Sequence, residues 1–123
     1  NQMSMQFFGR VKYHDYEGIA LDLDERDRLV RDLGDSDVMI LKHHGLLTTG
    51  RTVGEAFYNM YYMEQACRLQ VAATQGGQKI TVPPESVSQH TSDQFYRNGT
   101  VRGGRPWVAL RRKLDRIDPD YAS

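Results

Sequence analysis

The chain is poor in the features that staple, anchor or charge a protein. Cys67 is its one cysteine in 123 residues, so no intrachain disulfide can form, and that usage fits a reducing compartment such as the cytoplasm. No apolar stretch approaches the roughly 18 residues of a membrane span, so no membrane association is expected. The opening residues, NQMSMQFFGRV, lack the basic-then-apolar order of a signal peptide. Neither charge sign is in excess: 16 basic and 16 acidic side chains leave a formal net charge of zero. Nucleic acid, which needs a positive field to displace counterions, is therefore not an expected partner. The one basic run, LRRKLDR, is interrupted by Asp115 and reads as a solvated helix face. An initiator Met is also missing, and the abrupt start reads as that of a piece of a longer polypeptide.

The composition that remains is that of one small globular domain. Aromatic residues reach 10%, too many for a disordered chain, although 26% of residues are charged. RVKYHDY (10–16) alternates weakly and predicts a short strand. In LDLDERDRLVRDLG, Asp22 or Asp24 can cap a helix whose first turn is acidic, Leu23, Val30 and Leu33 share a face, and Gly34 ends it. DVMILK follows as an uninterrupted apolar strand, which predicts cover on both faces. RTVGEAFYNMYYMEQACRLQVAATQGG predicts the longest helix, opened by capping-box spacing at Thr52 and Glu55 and stopped by Gly76 and Gly77. Phe57, Met60, Tyr61, Glu64, Cys67 and Val71 share one of its faces. Glu64 there calls for a partner, which Arg68 at i+4 can supply. KITVPPE is extended. A polar helix then starts at Pro84 and ends at Asn98-Gly99, and Pro106 opens an amphipathic helix with Trp107, Leu110, Leu114 and Ile117 on one side. The tail, residues 76–123, thus holds two helices. The order is α/β, but two strands make a poor sheet, so further strands are expected from an upstream segment or a partner.

The stretch VMILKHHGLLTTG (38–50) carries the candidate chemistry. Strand ends in α/β folds build ligand sites, and neutral imidazole is the commonest side-chain metal ligand. Successive side chains of a strand point to opposite faces, so His43 and His44 can share a pocket only if the chain turns, which Gly45 allows. Taken alone, the short pair is a weak signal and fits one packed and one exposed histidine better than a ligand site. His14, His43, His44 and His90 include no pair at chelating spacing, and a zinc site needs at least three protein ligands. His14, beside Asp15 and Glu17, reads as a surface strand end. Cys67 reads as inert, and TTGRT lacks the spacing of a phosphate loop.

The run LKHHGLLTTGRTVGEAFYNMYYMEQACRLQVAATQGG resembles the second half of the class II aldolase/adducin family, and EAFYNMYYMEQACRLQVAA is most similar to the bacterial adducin-like members and the adducin head domain. YHDYEGIALDLDERDRLVRDLGD resembles the segment that precedes that family's signature. The resemblance covers about residues 9–118. It implies a three-layer α/β/α sandwich of which residues 1–123 form the C-terminal half of a single domain. In catalytic members it implies a divalent metal, usually zinc, held by an H-x-H pair from the first half and by the histidine before the signature glycine, here His44. The carboxylate that moves the proton also comes from the first half, so no catalytic residue of this chain is assigned. His43 stands where many members carry Asn. With Gly45 it is expected to support the ligand, by a hydrogen bond to the backbone or to a bound group.

The function implied is a metal-dependent carbon–carbon lyase, or a related epimerase or decarboxylase, acting on a small sugar-phosphate-like hydroxy-carbonyl compound. Its competence requires the upstream half, which this sequence lacks. The alternative is a non-catalytic adducin-like binding or assembly module. Either way a homo-oligomer is expected, a tetramer by resemblance.

Overall fold

The computed structural model describes residues 1–19, 23–77, 79–97 and 102–122. Three strands form its sheet: β1 (Val11–His14), β2 (Val38–Leu41) and β3 (Gly45–Thr48), in the order β1-β2-β3. β1 and β2 run parallel, with Val11 opposite Val38 and His14 opposite Leu41. β2 and β3 are antiparallel, with Leu41 opposite Gly45. The sequence pattern predicts only the first two strands. GLLT escapes it because a tight turn separates two apolar runs that otherwise read as one strand and its exit.

The central strand explains the layers. Val38 and Met39 are both fully buried, and neighbours in a strand face opposite sides, so both faces of the sheet are covered. On one side α2 (Glu25–Leu33) packs on β1. On the other, α3 (Val53–Thr74) packs on β2 and β3. Phe7, Val38 and Met63 form the core of that second side, with Val11, Ile40, Leu46, Tyr62 and Cys67 against it. Burying Phe7, Val38 and Met63 contributes about 1.5–3 kcal/mol for each side chain. The short α1 (Gln2–Met5) rests on α3 and on α4 (Glu85–Tyr96), and α5 (Gly104–Ile117) returns to α3 before a 3-10 turn at Pro119–Ala122. The α/β class and the expectation of cover on both faces hold. The expected helix end at Asn98-Gly99 lies outside the described residues, as does Asp22.

Two helix faces differ from the periodicity. In α2 the inward residues are Glu25, Arg28, Leu29, Asp32 and Leu33, while Leu23 and Val30 are exposed. Asp24 makes no capping hydrogen bond and pairs with Arg28 instead. In α3 the buried line is Gly54, Glu55, Asn59, Met63 and Ala66. Phe57, Met60, Tyr61 and Val71 are exposed, as are Glu64 and Arg68, which form no ion pair with each other. A helix apolar on several sides gives periodicity little to discriminate, and here the choice of face follows from polar side chains with partners waiting inside.

Glu55 is the chief of these. Thr52 caps the helix as expected, its Oγ1 accepting from Glu55 N at 3.1 Å. The Glu55 carboxylate does not return to the cap residue. It accepts from Arg51 N (2.9 Å), Arg51 Nε (3.1 Å), Arg51 Nη2 (3.2 Å) and Arg102 N (3.2 Å), and so joins the β3–α3 loop to the tail. Asn59 donates to Thr49 O at 2.8 Å on the same line. The Arg51 hydrogen bonds hold the Glu55 carboxyl below its usual range, against the opposing push of burial. The tail is latched a second time where Tyr96 lies between two guanidinium groups, Arg10 at 3.6 Å and Arg102 at 3.8 Å from its ring centroid. Trp107 then packs on Phe57 (centroids 5.4 Å apart) and against Gly54, so the apolar side of the last helix docks on α3. Gly103 makes this approach possible: its φ is +81°, and a Cβ there would stand 2.4 Å from Gly54 O.

Gly103→Ala is therefore expected to cost about 2–4 kcal/mol from left-handed strain plus overpacking, whereas Gly104→Ala, which meets open space, should be near neutral. Equal melting temperatures for the two variants would contradict this packing. A depressed carboxyl stabilises the fold above its unfolded value, 4.5 for Glu55, and that contribution is lost as pH falls through the lower folded value. Melting temperatures measured from about pH 6 to about pH 3 should fall less steeply for Glu55→Gln than for the unmodified chain. Parallel curves would remove Glu55 from that role.

Candidate functional site

The parallel strands β1 and β2 end side by side, and residues 14–17 and 42–44 meet there. Lys42 N donates to His14 O at 3.0 Å, which extends the β1–β2 pairing by one residue. The chain then reverses: His44 N donates to Leu41 O at 3.1 Å, closing a four-residue turn. His43 occupies its third position with φ +57°, the only described non-glycine residue with positive φ. Type II turns put Gly or Asn at that position because the left-handed region crowds a Cβ. The turn residue is thus His43 and not Gly45, whose φ is ordinary and beside which a Cβ would meet nothing within 4 Å.

The two histidines separate as the geometry demands. Both are exposed. His43 lies edge-on to Tyr16, with ring centroids 6.0 Å apart at 73°, and makes no hydrogen bond among the described residues. The His44 ring has no partner among the described residues. It stands exposed beside the strand ends. The segment after β1 is bolted beside it. Asp15 pairs with Lys42, which lowers the Asp15 pKa through a hydrogen bond first and charge second. Glu17 accepts from Arg28 Nε at 2.7 Å.

His14 departs most from expectation. It is no surface strand end: it is 4% exposed, on the α2 side of the sheet. Its Nδ1 lies 2.7 Å from Asp32 Oδ2 and its Nε2 3.6 Å from Glu25 Oε1. The His14 contact is the leading cause that holds the Asp32 carboxyl below its usual range. The inward polar face of α2 exists for this ring. The signal was present in the sequence as acids at 25 and 32, seven apart on one helix face.

A divalent metal can be tested against these groups. His44 fits as one donor by chemistry, exposure and lack of a competing partner. Among the described residues, no three His, Cys, Asp or Glu side chains stand close enough to hold an ion together. The described residues therefore present one candidate donor at the strand ends and no complete site. Among the described residues, no helix is long and apolar enough to cross a membrane.

The sheet is covered by helices on both faces and ends in a histidine turn, an α/β/α arrangement, and comparison with known proteins identifies the family. Residues 1–71 match the family described as Class II Aldolase and Adducin N-terminal domain. An aldolase II superfamily protein from Pseudomonas syringae superposes with a TM-score of 0.90 at 47% identity, over 100% of this chain and 50% of that one. L-fuculose 1-phosphate aldolase from Glaciozyma antarctica PI12 superposes with a TM-score of 0.73 at 26% identity, over 94% of this chain and 43% of that one. An adducin-related protein of Schizosaccharomyces pombe is 32% identical over 92% of this chain and 37% of its own length. The chain belongs to the class II aldolase and adducin family. It spans about half the length of the curated relatives it matches. Class II aldolases generally use a divalent metal.

The left-handed turn position makes its own prediction. His43→Asn should keep or raise the melting temperature, whereas His43→Val, β-branched, should cost about 1–2 kcal/mol. A valine variant as stable as the unmodified chain would show that the turn does not hold residue 43 left-handed.

Proposed function

We propose that this chain is the C-terminal half of a class II aldolase-like domain. The whole domain would be a metal-dependent carbon–carbon lyase, or a related epimerase or decarboxylase, for a small sugar-phosphate-like hydroxy-carbonyl substrate. One observation carries the reading: the exposed His44 imidazole, on a turn pinned at the carboxyl ends of two parallel strands. Similarity to a fuculose phosphate aldolase supports the substrate class.

His44 would hold the metal, zinc by family usage, together with donors from the other half of the domain. When bound, the ion supplies Lewis-acid polarisation of a substrate carbonyl. His43 shapes the turn through its backbone and braces it through Tyr16. Gly45 leaves open space beside the ligand. The single cysteine supports a cytoplasmic location. Phe57, Leu110 and Ile117 are 43%, 44% and 67% exposed along α3 and α5, an apolar surface that supports a homo-oligomer, a tetramer by resemblance. That surface also favours the second reading, a non-catalytic adducin-like assembly module.

The test uses a polypeptide that carries both halves. His44→Ala should take bound metal from about one ion per chain to none and lower cleavage of ketose 1-phosphates more than about 100-fold. Full metal occupancy in that variant would refute the ligand assignment. An unmodified two-half polypeptide that assembles but carries neither metal nor activity would favour the assembly module.

A further inference from the structure

The strand end that carries the histidine turn is held from behind. The His14 backbone carbonyl accepts from Lys42 N, the second residue of the turn. The same residue's ring is buried under α2, against Asp32 and Glu25. The next two residues repeat the contact: Asp15 pairs with Lys42, and Tyr16 lies edge-on to His43. Three consecutive residues of β1 and its exit thus grip the turn, and only the first is anchored in the protein interior. A turn residue in the left-handed region needs such outside support, because that conformation is costly for a side chain.

We propose that His14 is a positioning residue for the histidine turn, and that its ring, held by Asp32, sets the place of His44 without touching it. The part that concerns metal rests on the proposed function, whereas the part that concerns the turn does not. A buried ring that joins α2 to the last residue of β1 fixes the carbonyl on which Lys42 docks. Removing the ring frees that carbonyl, then the turn, then the His44 imidazole. Asn at position 14 retains an N–H donor close to where Nδ1 stands and should preserve the anchor in part.

The experiment has two arms. In this chain, hydrogen exchange at the Lys42 amide should speed up at least about tenfold in His14→Ala, while the amide of Met63 in α3 keeps its rate. Asp32→Ala, at the more exposed partner, should act in the same direction if the first variant folds poorly, and His14→Asn should recover most of the protection. In a polypeptide carrying both halves, zinc affinity should fall at least about tenfold in His14→Ala and return towards normal in His14→Asn, as for other groups that orient a metal ligand. Lys42 exchange that is unchanged, or that rises only in step with Met63, would overturn the proposal. So would undiminished zinc affinity in His14→Ala. If the unmodified two-half polypeptide binds no zinc, the metal reading fails by itself, and the exchange arm still decides whether His14 holds the turn.

Discussion

The structure depends on the burial of β2 from both sides. Val38 and Met39 point to opposite faces and neither meets water. That single constraint requires a layer on each side, and the chain supplies α2 for one and α3 for the other. Register is fixed by the polar neighbours, since a one-residue slip of β1 would take the His14 ring away from Asp32 under α2. With the register set, His14 stands opposite Leu41, and the histidine turn begins where the two strands end together. The candidate site is a consequence of how the core packs.

Around that core the chain uses buried polar contacts where a larger domain would use apolar ones. Glu55 gathers four donors and ties the tail to the start of α3. Tyr96 lies between Arg10 and Arg102 and ties α4 to both. His14 ties β1 to α2. Each of these contacts joins segments distant in sequence, and each places a charged or titratable group inside. They mark the elements whose relative placement apolar packing alone leaves open.

Those same contacts divide what the sequence discloses from what it hides. DVMILK was legible as a doubly covered strand because continuous apolar character has few other meanings. The long helix was legible from Thr52 to the paired glycines, and the docked tail from the spacing of Trp107, Leu110, Leu114 and Ile117. The inward faces were not legible. Periodicity assigns polar residues to water, yet Glu55, Asn59, Glu25 and Asp32 turn inward because a partner waits for each. β3 was hidden by the brevity of its turn, and His14 by a neighbourhood in sequence that differs from its neighbourhood in space. At the site, the resemblance singled out His44. The geometry added the left-handed backbone of His43, which explains why a residue tolerant of that region belongs there.

One imidazole at a strand end does not make a metal site, and the chain spans about half the length of two bacterial relatives. The proposed function requires the metal site to be completed between this chain and the other half of the domain. Native mass spectrometry in the presence of zinc, on this chain alone and then mixed with its separately produced other half, tests that claim most directly. The account predicts no zinc on the chain alone and one zinc on each assembled pair. An assembled pair without zinc, or a full zinc complement on this chain by itself, would contradict it.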